Sequence, residues 1–203
     1  MNAEVVILDS QFIIALGAAL FLLGIAHMSP GLSLLDARLF RVIHIGLRRG
    51  NPSFRVLWHL GRTPFTLICI GIIMVYDLRS GVIAAIVFAA AASLEWSIKR
   101  TFRRPRPFTL IPDAVMAQPR QPKDASFPSG DAMRIWFLAL TILWAFGLPS
   151  LVSLIACLIA LIVTLGRIAM GVHFPLDTLA GSGLGLLAAG VADYLISSIP
   201  GVN

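Results

Sequence analysis

Residues Gly166–Asp177 read GRIAMGVHFPLD, and they stand where two long apolar runs meet. Arg167, His173 and Asp177 follow one another at intervals of six and four residues. A charged cluster at a membrane boundary is costly to keep, so it is expected to act. Pro175 suits the first position of the helix that follows, because its missing N–H would have no partner there anyway. His173 then lies just before a helix N-terminus and Asp177 within the first turn. Free backbone N–H groups and the positive end of the dipole make such a place favourable for an anion such as phosphate. An arginine supplies a bidentate clamp, a histidine can attack phosphorus, and an aspartate can fix the imidazole tautomer. Taken alone, the stretch equally fits a capped helix with an arginine snorkelling to the interface.

The apolar runs on either side belong to a chain of 203 residues that is 58% hydrophobic and 13% charged, with a mean hydropathy of +0.88. Soluble domains carry roughly 25% charged residues, so a multi-pass integral membrane protein is expected. The runs lack strand-like alternation, which points to an all-α transmembrane bundle rather than a barrel, and the length suits one domain over residues 1–203. Cys69 and Cys157 both lie inside apolar runs and read as buried small hydrophobes. The net charge of +6 sits in loops that hug the membrane. It favours an anionic partner at the bilayer surface over nucleic acid.

Met1–Ser10 is acidic and lacks the basic start of a secretory signal, so Phe12–Met28 is expected to be a retained first span, ended by Pro30-Gly31. The segment 36–49, DARLFRVIHIGLRR, suits an amphipathic helix lying in the interface with its arginines at the headgroups, and Pro52–Leu60 suits another such piece. Further spans are expected at Thr63–Tyr76, Ser80–Ile98, Ala132–Phe146, Ser150–Leu165 and Thr178–Ile199, making six. The second is short, since fourteen helical residues reach about 21 Å against a hydrocarbon core of about 30 Å. The last carries Gly181, Gly183, Gly185 and Gly190, which permit close helix approach in lipid.

Counting spans brings two more charged stretches to the face that holds Arg167 and His173. One is KRTFRRPRP, Lys99–Pro107, within which Lys99 and Arg106 are the cations expected to face the pocket. Arg100, Arg103 and Arg104 read more simply as a snorkelling basic collar. The other is SFPSGDA, Ser126–Ala132, a turn opening into the fourth span. Gly130 permits close backbone approach there, and Ser129 can offer a hydroxyl and an N–H to an anion, or simply cap the helix. Arg134 follows within the first turn. Lys99, Arg106, Ser129, Arg167 and His173 thus form a cradle for an anion with a nucleophile inside it. His27, His44 and His59 stand apart and are expected to be structural. No carboxylate or histidine cluster calls for a metal, and no cofactor is expected.

Together the three stretches resemble the three-part pattern of the type 2 phosphatidic acid phosphatase superfamily, which includes vanadium haloperoxidases. That pattern is Lys, six residues, Arg-Pro; Pro-Ser-Gly-His; and Ser-Arg, five residues, His, three residues, Asp. Here Lys99, Arg106-Pro107, Pro128-Ser129-Gly130, Arg167, His173 and Asp177 stand in register and in order. The resemblance implies metal-independent hydrolysis of a phosphomonoester or diphosphate on a phospholipid or polyprenyl lipid, in a bacterial or archaeal plasma membrane. It implies a phosphohistidine at His173, oriented by Asp177, with Lys99, Arg106, Ser129, Gly130 and Arg167 around the phosphate. Gly166 replaces the family's Ser, and Asp131 replaces the His that protonates the leaving oxygen. Asp131 is therefore expected either to act as the general acid or to stand as a carboxylate, in which case only good leaving groups depart readily. The alternative function is an impaired relative that binds phospholipid or serves as a scaffold. The basic loops place the pocket on the cytoplasmic side by the positive-inside rule, whereas many bacterial relatives work on the outer face.

Overall fold

A computed structural model of the protein describes residues 9–198, and among them every regular element is helical. The ends of the chain, including Glu4 and the expected helix end at Ile199, lie outside the described residues. Helix α1 (Ser10–Ile25) is capped by Asp9, whose carboxylate accepts from Gln11 N at 3.0 Å. Pro30 does not end a helix; it opens α2 (Pro30–Leu47) from the N1 position, where proline's fixed φ is already helical. A short α3 (Asn51–Leu57) and a 3₁₀ turn at Trp58–Gly61 lead to α4 (Thr63–Tyr76). Asp77 then caps α5 (Leu78–Phe102). After the four-residue α6 (Pro107–Leu110) come a loop and α7 (Gly130–Ala145), α8 (Ser150–Ala169) and α9 (Pro175–Ser198).

Helix α9 is the axis of the bundle, packed against α1, α5, α7 and α8. Its glycines make that possible. A Cβ at Gly183 would strike the backbone of Gly17 and Phe21 on α1, and one at Gly181 would strike the Ser129 carbonyl at the head of α7. Close approach at Gly181 seats the starts of α7 and α9 side by side, joined by Ser129 N donating to Asp177 O at 2.9 Å. Ile13, Ile70, Phe88, Phe137 and Leu184 fill one apolar core between α1, α4, α5, α7 and α9. Apolar side chains also cover the outside, Leu22, Val75 and Leu151 among them, as a lipid-facing surface requires.

By length and composition four segments can cross a bilayer, Ser10–Met28, Leu78–Leu110, Ser150–Ala169 and Pro175–Ser198. A fifth is possible if Pro30–Gly61 and Thr63–Tyr76, bent by 48°, count as one broken span. Helix α7, with 16 residues, is too short to count as a span on length.

The expected interfacial helix is present but differently employed. Arg38, Arg41, Arg48 and Arg49 are exposed, while Asp36, Phe40 and His44, four residues apart, are buried against the protein. Phe40 meets the ring of Phe174 at 5.5 Å, and His44 Nδ1 lies 2.9 Å from Ala169 O. The polar residues hid this stripe in the sequence, because an Asp and a His interrupt the apolar period.

Replacing Gly181 by Val should cost about 1–3 kcal/mol by overpacking and lower the melting temperature in detergent. Gly71→Ala, on α4 and facing open space, should not lower it.

Candidate active site

The starts of α7 and α9, the end of α5 and the end of α8 meet around one cavity of about 250 Å³. Lys99, Arg106, Gly130, Asp131, Arg167 and His173 all line it, together with Arg134. Ser129 and Asp177 are fully buried just behind it. Ser129 Oγ is turned toward Ala132 N at 3.5 Å and so caps α7, while its backbone N–H is committed to Asp177 O.

His173 sits in the connection between α8 and α9, almost wholly buried. Its Nε2 lies 3.2 Å from Arg106 Nη1. A guanidinium can only donate, so Nε2 is the unprotonated nitrogen and Nδ1 carries the hydrogen. Nδ1 faces Ser126 Oγ at 3.4 Å and Asp177 Oδ2 at 3.8 Å. Ser126 Oγ in turn donates to that same Asp177 oxygen at 2.5 Å. The aspartate therefore reaches the imidazole through a serine as well as across space. Burial, and next the charge of Arg106, push the imidazole down to about 3, so it is neutral at physiological pH.

The N-terminus of α9 does not offer the open anion site that the proline suggested. Asp177 Oδ2 accepts from Phe174 N at 2.8 Å, and Asp36 Oδ1 accepts from Leu176 N at 2.9 Å. Two carboxylates of the protein already use those amides.

Arg104, expected in the basic collar, is buried instead. Its guanidinium spans Asp36 and Asp177 at 2.6 Å each and lies over the Phe174 ring at 4.3 Å. Arg100 does lie outside, over the Trp96 ring at 3.8 Å, and Arg103 is exposed. A single sequence has no spacing that separates Arg104 from its two neighbours, since its partners come from α2 and α9.

The cations in the cavity are arranged as two pairs, each bridged by an acid. Asp131 Oδ1 is 2.9 Å from Arg134 Nη2, and Oδ2 is 3.0 Å from Arg167 Nη2 and 3.1 Å from Trp58 Nε1. Asp124 joins Lys99 Nζ at 2.5 Å and Arg106 Nη2 at 2.8 Å. Glu95 stands behind, 2.9 Å from Lys99 and 3.3 Å from Arg134. Arg167 also donates to Gln118 Oε1, yet its buried Nε and Nη1 have no partner among the described residues. A buried donor left unpaired costs about 1–3 kcal/mol, and an anion in the cavity would satisfy both. Asp124, Gln118 and Trp58 carried no motif spacing, and only Ser126, inside the SFPSG turn, stood next to a recognisable signal.

The sequence model of the PAP2 superfamily matches residues 80–198. The undecaprenyl-diphosphatase of Sulfolobus acidocaldarius is 32% identical over 107 residues, which cover 53% of this chain and 50% of that protein. The chain thus spans about half the length of that curated relative. Among solved structures, the crystal structure of the first transmembrane PAP2 type phosphatidylglycerolphosphate phosphatase from Bacillus subtilis superposes with a TM-score of 0.75. It is 23% identical, and the overlap covers 94% of this chain and 98% of that one. Aquifex aeolicus LpxE superposes with a TM-score of 0.70 at 25% identity, over 78% of this chain and 94% of that one. The family match takes in every motif residue from Lys99 to Asp177, and on that match the chain belongs to the PAP2 superfamily.

Proposed function

We propose that this protein removes phosphate from a membrane lipid through a phosphohistidine on His173, and that a polyprenyl diphosphate is its preferred substrate class. The observation that carries the reading is a neutral histidine whose Nε2 faces a cavity lined by Lys99, Arg106, Arg134 and Arg167. Its likeness to an undecaprenyl-diphosphatase supports the substrate class. Six spans, with α4 and α7 crossing as short ones, suit a cavity at one end of the bundle.

In this mechanism the Nε2 lone pair attacks phosphorus while the bond to the leaving oxygen breaks. The ring, still holding its Nδ1 hydrogen, becomes cationic, and Asp177 with Ser126 stabilises that charge. The four cations hold the equatorial oxygens, where phosphoryl transfer needs electrostatic support. Water then attacks phosphorus, the P–N bond breaks, and the electron pair returns to Nε2. Inorganic phosphate leaves with the water's protons.

Asp131 decides the leaving group. Both its oxygens accept from arginines, and one also from Trp58, an arrangement that holds a carboxylate rather than a proton donor. With no acid beside it, an alkoxide departs slowly. A departing lipid monophosphate needs no proton. Asp131 is on this reading a positioning residue for Arg134 and Arg167.

Purified protein should release phosphate from a prenyl diphosphate in EDTA, at a kcat/KM at least about tenfold above that for phosphatidate, with vanadate inhibiting. Binding without turnover across both substrates would instead support the impaired, lipid-binding alternative. Asp131→His should raise phosphatidate turnover by up to about 10²–10⁴-fold, the usual worth of a positioned acid. If Asp131→Asn instead abolishes diphosphate turnover and the wild type has an acid-shifted optimum, Asp131 is the proton donor.

The neutral His173 makes a second prediction. A folded-state value below the ordinary 6.5 means the imidazole stays unprotonated as pH falls through 6.5. The His173 ring resonance, assigned by its loss in His173→Ala, should therefore not titrate between pH 5 and 8. A midpoint near 6.5 would contradict the buried, Arg106-facing site.

The excess of basic residues around the cavity supports a cytoplasmic active site. A cysteine placed at Asn203 should then react with a membrane-impermeant maleimide added outside intact cells. Absence of labelling, with labelling restored in lysed cells, would put the cavity on the outer face.

A further inference from the structure

Resting on that reading of the site, we propose that Asp124 is a resident counter-anion that occupies the place of two phosphate oxygens on Lys99 and Arg106 and is exchanged for the substrate. Its two carboxylate oxygens are divided between the cations, Oδ2 on Lys99 Nζ at 2.5 Å and Oδ1 on Arg106 Nη2 at 2.8 Å. The same guanidinium, through Nη1, stands 3.2 Å from His173 Nε2. The carboxylate is therefore bound where an anion next to the attacking nitrogen has to bind.

The two acids of the cavity differ in how they are held. The Asp131 side chain is only 13% exposed and has three donors, whereas the Asp124 side chain is 53% exposed and faces the opening. Burial alone would raise the Asp124 carboxyl, but Lys99 and Arg106 outweigh it and hold it down at about 2. It is thus an anion at every working pH and competes as one. The loop backbone need not move for it to leave, because Arg106 Nε separately grips Asp124 O at 3.0 Å. Rotation of the side chain into the opening is enough.

Exchange of this kind discriminates by charge. A phosphodiester headgroup brings one negative charge, no more than Asp124 already supplies, and gains little by displacing it. A phosphomonoester dianion or a diphosphate brings more charge and more oxygens, which two cations bind better than one carboxylate. In a bilayer rich in anionic phosphodiesters, Asp124 keeps those headgroups off the phosphate site.

The test is phosphate affinity, measured by calorimetric titration of inorganic phosphate into purified protein, alongside inhibition of diphosphate hydrolysis by phosphatidylglycerol in mixed micelles. Asp124→Asn should bind phosphate at least about tenfold more tightly than wild type, since one unit charge a few ångströms from the ligand is removed. It should also become sensitive to phosphatidylglycerol at fractions that leave the wild type unaffected. Asp124→Ala, which removes the side chain from an exposed loop position, should do the same, with melting temperatures without ligand reporting that both variants fold. Unchanged or weaker phosphate binding in both variants, with the wild type hydrolysing lipid phosphate, would overturn the role of Asp124 and leave the active-site reading standing. A wild type that neither binds phosphate nor hydrolyses the lipid would overturn both.

Discussion

The geometry of the site depends on one buried cation. Arg104 has Asp36 of α2 on one side and Asp177 of α9 on the other, both at 2.6 Å, with nine-tenths of its surface away from solvent. A charge taken out of water is tolerable only when paired and hydrogen-bonded. Arg104 therefore requires α2, the segment after α5 and the start of α9 to come together in one arrangement. Removing any one member strands the others, which in buried ion pairs costs about 3–5 kcal/mol. Asp177 is held by that demand, and the orientation of His173 follows through Ser126.

Around this fixed point the cavity concentrates positive charge without leaving it bare. Arg134 and Arg167 share Asp131, Lys99 and Arg106 share Asp124, and Glu95 backs Lys99 and Arg134. Unrelieved, four cations within one small buried cavity would repel one another strongly at the low dielectric of a bundle end. The acids relieve that repulsion and set the directions in which the guanidinium groups point. Donors aimed before the ligand arrives need no reorganisation during reaction, which is the main source of electrostatic catalysis. Nε and Nη1 of Arg167, which lines the cavity, are the exception, with no partner among the described residues.

Lipid as solvent explains the rest of the design. Helices of lipid-facing apolar residues gain nothing by hiding those residues from one another, so association relies on close packing. Gly17, Gly181 and Gly183 provide it between α1, α7 and α9. Because Gly181 abuts the Ser129 carbonyl, the contact that builds the bundle also aligns the turn beside the cavity. Packing and site geometry are here the same contact.

The membrane class, the helical character and the order of the three charged stretches follow from the sequence alone. Apolar content decides the solvent, and Pro175 sets the start of α9 through a rule that acts within a few residues, whereas Pro30, expected to end a helix, opens one. The spacings of Lys99, Arg106, Arg167, His173 and Asp177 are equally local, and these residues do come to one end of the bundle, Asp177 just behind the cavity that the others line. Only the tertiary structure decided which charge meets which. Asp36 and Arg104 are 68 residues apart, Gln118 and Arg167 are 49 apart, and Lys99 and Asp124 are 25 apart. Helical periodicity tells which residues share a face of one helix. It holds no record of the partner helix, so Arg104 looked like its exposed neighbours, and nothing tied Asp36 to it, until the fold buried them together.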